Sequence, residues 1–386
     1  MSGYLGDLNE KQEQALKELK SRLCDIWKDD FTDPFLLRWL RAREFDVVKA
    51  EKLLRENLIW RHENGIDTLV TTYQCPDVLK RYFPGAIFNH DNEGRPLWIL
   101  PIGNADFKGM LQCVPVEVMV RHVIYQIELN VEEMKKQTEK LGKPVDTFTV
   151  VSDYENFSLK QVYCFQVIEF MRHLVVVYEN YYPELLERCL FINAPSFFPV
   201  FWRLIRPFFT ERTTKKIQIF TREGWQPVLL KYVNPSQLPV HWGGHLVGPN
   251  GDKKCSDVIT PGGEVPIQLY LKNCPKVSAD PNAIFCCLAR GQKLEIPVNV
   301  EGAGSTLSWK FQVAQGHDVG FGVVHKPKGI AKTKEVLQVS RAKCDQVPQS
   351  GQLISEPGTY IFTFDNSYSW FTKKQLFYVL EVKNSE

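Results

Sequence analysis

The spacing of apolar positions changes character twice along the chain. Near the start, Leu16, Leu19, Leu23 and Ile26 recur at helical intervals, one apolar stripe on a charged background. Asp33-Pro34 opens a second helix, with a cap and a proline in the first turn, and its run FLLRWLRAREF sets Arg38, Arg41 and Arg43 among apolar residues. Asp46 caps a third helix over 47–61, which stops near Gly65. Residues 1–74 therefore read as a small helical bundle whose plain role is to pack on the next domain. Over 76–246 short apolar runs at 97–100, 147–151, 189–192 and 217–220 alternate with helical patterns at 115–140, 158–178 and 196–209. That order predicts an α/β layer with a largely parallel sheet and right-handed crossovers, closed by Leu238-Pro239-Val240-His241-Trp242-Gly243-Gly244.

Residues 247–274 are rich in Gly and Pro and read as a linker, or as a lid over the preceding domain. From 275 to 383 the period becomes two. Leu307, Trp309, Phe311 and Val313 alternate with Ser308, Lys310 and Gln312; Phe321 and Val323 continue the theme. Tyr360, Phe362 and Phe364 precede a turn at Asp365-Asn366-Ser367, and a last strand spans 376–382. Short strands separated by turns predict an all-β sandwich.

The stretch 196–209 stands out. After the turn at Asn193-Ala194-Pro195, Ser196 offers an N-cap oxygen and Pro199 falls in the first turn. The helix then carries Phe197, Phe198, Val200, Phe201, Trp202, Leu204, Ile205, Phe208 and Phe209, more than one stripe of about 100° can hold. It is too short to span a bilayer, which takes about 20 apolar residues. Two readings stand: a central core helix, the plainer one, or a cover over an apolar ligand.

Composition narrows the classes. The 386 residues are 44% apolar, with 47 basic against 45 acidic residues for a net charge of +2. That balance argues against a nucleic-acid coat. Ten cysteines form no C-x-x-C pair, and the opening MSGYLGDLNEKQEQ has no apolar signal region, so the expectation is a cytoplasmic protein with reduced thiols, Cys255 and Cys274 among them unpaired. No phosphate loop, nucleophile elbow or zincin motif is present, and Gly320-x-Gly322 lacks a third glycine and a strand-to-helix context. His241 and His245 have a metal-compatible spacing, but Gly243-Gly244 between them disfavours a helix, so satisfied or exposed histidines are the better reading. No catalytic residue, metal or cofactor is expected.

Several motifs together resemble the CRAL-TRIO lipid-transfer family, and the domain order resembles its animal members with a C-terminal GOLD domain. They are FLLRWLRAREFD, YYPELLERCLFINAPSFFPVFWRLIRPFFTERTTKKI, LLKYVNPSQLPVHWGG, DVGFGV and PGTYIFTFDNSYSW, in order over nearly the whole chain. The resemblance implies a CRAL-TRIO domain at 76–246, a linker at 247–274 and a GOLD sandwich at 275–383. It makes Phe197, Phe198, Phe201, Trp202, Ile205, Phe208 and Phe209 the mobile wall of a lipid cavity. Residue by residue, Arg41, Glu184, Thr213 and Lys216 match the family's phosphoinositide head-group positions, with a structural Glu184–Lys216 ion pair as the alternative. Phe148, Val150 and Tyr178 stand where the phosphatidylcholine-binding fungal member has small hydroxylated residues, which favours a more apolar cargo such as tocopherol, squalene or a retinoid. The implied function is binding and intermembrane transfer or presentation of a hydrophobic ligand by a protein that is peripheral on membranes; the alternative is a lipid-sensing adaptor that recruits protein partners through its GOLD domain. Lys373-Lys374 reads as a solvated basic pair rather than a contact with acidic lipid.

Overall fold

The computed structural model describes residues 2–273, 276–314, 316–329, 333–345 and 347–383, with the side chains of Val162 and Lys272 excepted. Met1, Cys274 and the expected boundary at 274 and 275 lie outside the described residues. Internal contacts divide the chain into two compact units, Met1–Pro266 and Ile267–Glu386.

The first unit opens with α1 (Glu10–Arg22), α2 (Asp33–Ala42) and α3 (Val47–Glu63). Asn9 and Gln12 form a capping box on α1, and Asp46 caps α3 through the Lys49 amide at 3.1 Å. The cap of α2 is Thr32, not Asp33: the Thr32 hydroxyl accepts from the Phe35 amide, which moves Asp33 into the first turn, where its charge suits the helix dipole. Leu19, Leu23, Leu36, Leu37, Leu40 and Leu54 close a small core between these helices.

Next come α4 (Leu69–Thr72), α5 (Asp77–Tyr82), β1 (Ala86–His90), β2 (Pro96–Leu100), α6 (Phe107–Leu111), α7 (Val116–Leu141) and β3 (Phe148–Asp153). They are followed by α8 (Leu159–Val162), α9 (Phe165–Tyr181), β4 (Leu186–Ile192), α10 (Phe198–Ile205), α11 (Glu211–Lys215), β5 (Ile217–Ile219) and α12 (Trp225–Tyr232). The sheet order is β1-β2-β3-β4-β5, parallel from β2 to β5, with β1 antiparallel at the edge. The helix expected at 158–178 is two helices, because Cys164 between them is extended at φ −89°, ψ 112°. Leu97, Ile99, Val151, Leu190 and Ile192 turn one sheet face toward Trp225, Leu229 and Trp242. The glycine-rich stretch after Gly244 runs back over this unit: Ile259 and Val265 are buried, and Gly85 and Ala105 pair with Thr260 and Gly263.

The second unit is antiparallel throughout: β6 (Ile284–Leu288), β7 (Lys293–Val300), β8 (Thr306–Val313), β9 (Val319–Pro327), β10 (Lys334–Ala342), β11 (Gln349–Ile354), β12 (Gly358–Asp365) and β13 (Lys374–Lys383). Two four-stranded sheets, β10-β9-β12-β7 and β11-β8-β13-β6, face each other. Phe311 from one meets Phe321 and Phe364 from the other, with ring centroids 4.4 and 5.1 Å apart. Gln312 keeps the alternation, on the outer face of its sheet, and is buried there under the turn at Val277–Ala279: its amide oxygen accepts from the Val277 amide and its nitrogen donates to the Asp345 carbonyl. Lys374 corrects the solvated-pair reading. It is 2% exposed, with its ammonium 2.7 Å from the Asp318 carboxylate, and only Lys373 is solvated.

Candidate functional site

Strand alternation sends Phe148 and Val150 to the sheet face opposite Trp225, because Trp98 pairs with Val150 and Ser152 pairs with Phe191 in register. On this face lies α10. It is shorter than its apolar run: a 3-10 turn, Arg206–Phe208, ends it at Pro207. Ser196 does not cap it. The first helical turn starts one residue later, Phe197 sits at the cap, and no side chain accepts there.

The helix has two distinct faces. Phe198, Phe201 and Ile205 are buried. The Phe198 ring lies 4.7 Å from Tyr154 and 5.8 Å from Phe191, and the Phe201 ring 5.2 Å from Phe157. Trp202 meets Phe191 and Phe209 at 5.9 Å each. Phe197, Trp202, Phe208 and Phe209 are half-buried, while Val200 and Leu204 on the outer face are 37% and 44% exposed, and Arg203 and Arg206, nearby in the chain, are exposed too. Ring contacts thus join Phe197, Phe198, Phe201, Trp202 and Phe209 with Tyr154, Phe157 and Phe191 in one aromatic cluster closed against the sheet, with Ile205 buried beside it, while Phe208 shares none of these ring contacts. Two depressions of about 320 and 420 Å³ in this unit are bounded by residues of the N-terminal helices and α7, including Phe35 and Arg38, and the α10 residues line neither. Tyr178, on α9, shares no ring contact with the gate cluster; burial of its hydroxyl pushes its pKa well up.

The polar positions also converge. Arg41, on α2, has a fully buried side chain. Its Nε lies 3.6 Å from Glu184, and its Nη2 3.9 Å from Asp146. Both nitrogens are charge-paired but lack a hydrogen-bond acceptor, while Nη1 donates to the Gly3 carbonyl at 3.3 Å. The Tyr4 ring covers the guanidinium at 3.9 Å. Glu184 sits at φ +60°, a conformation that costs a non-glycine residue about 1–2 kcal/mol and is retained where its surroundings fix it. Its carboxylate takes Lys216 Nζ at 3.1 Å and Arg212 Nε at 2.8 Å. Lys216 also donates to the Leu186 carbonyl at 2.6 Å. Burial pulls the Lys216 ammonium below its ordinary pKa, and Glu184 opposes that shift. Thr213 is buried beside them, its hydroxyl accepting from Thr210 at 3.1 Å. Three cations, Arg41, Arg212 and Lys216, thus surround two carboxylates, an arrangement in which a phosphate oxygen could replace either acid as the partner.

Sequence reasoning named Arg41, Glu184, Thr213 and Lys216, and missed Asp146, Arg212, Gly3 and Tyr4. Arg212 lies within the run ERTTKKI, next to Thr213 and four residues before Lys216; nothing local marks the others. Gly3 is demanded by packing: at φ +80° a Cβ would lie 2.9 Å from the Phe45 ring.

The histidines at 241 and 245 do not converge. His245 is exposed, and His241 lies 3.6 Å from Asp153 and 3.8 Å from Glu155. These three could approach a cation, but the Asp153 carboxylate is already engaged by Asn193 at 2.8 Å, the Glu155 amide at 3.0 Å and the Trp242 indole at 3.0 Å. The network ties the HWGG turn to the end of β3. Gly244 is required there, since a Cβ would lie 2.0 Å from the Leu238 carbonyl oxygen.

Residues 80–244 match the CRAL/TRIO domain, and residues 6–56 the CRAL/TRIO N-terminal domain. A similar protein is the CRAL-TRIO domain-containing protein T23G5.2 of Caenorhabditis elegans, 33% identical over 320 residues, or 80% of this chain. The chain spans 43% of that relative's length. Among solved structures, Sfh5 aligns over 66% of this chain and 93% of its own with a TM-score of 0.52 at 19% identity, a likeness of fold.

Proposed function

Because the chain belongs to the CRAL/TRIO family, whose domain is a lipid-binding one, we propose that it holds one hydrophobic molecule behind α10 and moves it between membranes or presents it to a protein. The observation that carries this reading is a helix apolar on both faces, its inner side in an aromatic cluster and its outer side leaving Val200 and Leu204 in water. A core helix has no use for the second face; a gate that meets a membrane does. The physical need is clear, since a lipid leaving a bilayer exposes its chain at about 0.8 kcal/mol per CH₂, on the order of 12 kcal/mol for roughly 15 methylenes. A dry pocket offered at the bilayer removes most of that barrier without bond-making chemistry. The closed aromatic cluster must part for entry, so the open state lies a few kcal/mol above the closed one.

The cargo we favour is tocopherol, squalene or a retinoid, with Phe148 and Val150 supplying an apolar wall. A phosphoinositide is the alternative cargo: its phosphates would take the two unsatisfied Arg41 nitrogens, and Glu184 would exchange Lys216 for inositol hydroxyls. The eight antiparallel strands of the second unit support its reading as a GOLD module. Its edge strand β10, with Val336, Leu337 and Val339 more than a third exposed, is where an adaptor role would recruit a protein. Among the described residues no helix is long and apolar enough to cross a membrane, and a peripheral cytoplasmic carrier is the proposed setting.

The test is solvent extraction of the purified chain and transfer between vesicles. Phe201→Asp places a carboxylate among Tyr154, Phe157 and Phe198 and should abolish uptake while the second unit stays folded. Wild-type uptake by that variant would remove the gate from consideration. Lys216→Ala should weaken phosphoinositide binding and spare tocopherol or retinal; equal loss of both would make Lys216 a structural partner of Glu184.

A further inference from the structure

The loop between β12 and β13 presents the most exposed aromatic pair among the described residues: Trp370 is 81% and Phe371 92% exposed. The loop is firmly built, so their exposure is not fraying. Asn366, fully buried, donates to the carbonyls of Ala289 and Thr372 at 3.0 Å each and so pins both ends of the loop. Below them, Asp318 gathers Lys374 at 2.7 Å, Arg341 at 2.5 Å and the Tyr368 hydroxyl at 2.9 Å. The Tyr368 ring is covered by Arg341 at 4.4 Å and Lys374 at 4.3 Å. This network is held together by charge: burial would raise the Asp318 carboxyl, but its cationic and hydroxyl donors hold it down at about 2.

Beside the pair opens a depression of about 560 Å³ lined also by His317, Lys343 and Asp345. Lys343 and Lys373 are exposed, and the Arg341 side chain, though paired, is 66% exposed. Adjacent aromatics at a rigid tip, ringed by cations, combine two chemistries. Trp and Phe settle at the boundary between head groups and acyl chains, and Lys and Arg reach anionic lipid phosphates from there.

We propose that this tip is a membrane-docking site for an anionic phospholipid bilayer, with Trp370 and Phe371 entering the interface and Arg341, Lys343 and Lys373 meeting its phosphates. A bilayer fits better than a protein. The apolar part is two side chains on a projection, well short of the roughly 800 Å² per partner of a stable protein interface. A bilayer needs no shaped pocket to receive them. This docking stands apart from whatever the first unit carries.

The experiment is flotation of the full chain with vesicles of phosphatidylcholine alone and of phosphatidylcholine with phosphatidylserine. W370A/F371A should lower the partition into the mixed vesicles about tenfold or more with an unchanged thermal unfolding profile, and the swapped pair W370F/F371W should restore it. K343E/K373E should erase the preference for phosphatidylserine. Quenching by bromine-labelled acyl chains should be weaker in W370F than in wild type, because the inserted indole is gone. Wild-type partition by W370A/F371A would overturn the proposal and return the tip to a protein partner. Equal quenching in W370F and wild type would overturn insertion of Trp370 directly.

Discussion

Serine at both Val200 and Leu204 separates the outer face of α10 from its inner face. The two side chains are 37% and 44% exposed in the closed arrangement, so roughly that share of their surface is available to a membrane. Fully burying a Val or Leu side chain yields about 1.5–3 kcal/mol, so two-fifths of each gives about 1–2 kcal/mol for the pair. At about 1.4 kcal/mol per factor of ten, membrane engagement should weaken roughly five- to thirtyfold. Neither residue belongs to the buried cluster of Phe198, Phe201 and Ile205, so global stability should fall by about 1 kcal/mol or less. The assay is transfer of a fluorescent tocopherol from donor to acceptor vesicles at limiting protein, beside equilibrium binding of the same probe in detergent-free buffer. Transfer should drop about tenfold with the binding constant unchanged. Transfer at the wild-type rate would refute the reasoning, since the exposed face would then have no part in meeting the bilayer. A parallel loss of binding would refute it differently, by showing that the outer face holds the fold of the gate.

Other consequences rest on single residues. His122 is 4% exposed beside Tyr73 and Cys75, and burial pulls its pKa from 6.5 to about 4. Above about pH 6.5 it is neutral in both folded and unfolded chains; as pH falls from there toward 4 the unfolded chain takes a proton that the folded chain refuses. Stability should therefore fall across that window by at most about 3 kcal/mol, and His122→Gln should flatten the slope in denaturant titrations. Phe311→Ala empties the middle of the second unit's core and should cost about 3–5 kcal/mol, read from its unfolding midpoint. Gly3→Val meets the Phe45 ring and a φ of +80°, so hydrogen exchange at residues 2–7 should accelerate as Tyr4 leaves Arg41.

Period and caps carried most of the architecture. The four parallel strands were legible as short apolar runs, buried on both faces in β2 and β3, and the helical N-terminus and four strands of the second unit, β8, β9, β12 and β13, by their period; β6, β7, β10 and β11 were not placed. The edge strand β1 was not, since Ala86–His90 is half-buried along its whole length and shows no alternation. The break before Phe165 was hidden because the apolar run continues through it. At the site, motif resemblance supplied Arg41, Glu184, Thr213 and Lys216. Tyr4 and Asp146 were out of reach, because they meet Arg41 only after the chain folds back over α2. The burial of Lys374 was likewise unreadable: its partner Asp318 is 56 residues away. Periodicity also overstated α10, counting Phe208 and Phe209 into a helix that ends before Pro207.

The central claim, that the first unit encloses a hydrophobic guest behind α10, is tested most directly by native mass spectrometry of the purified full chain beside Phe201→Asp. The expected result is one hydrophobic molecule per wild-type chain, released by solvent extraction, and none on the variant. An unliganded wild-type chain that also takes up no added tocopherol, squalene, retinoid or phosphoinositide would contradict it.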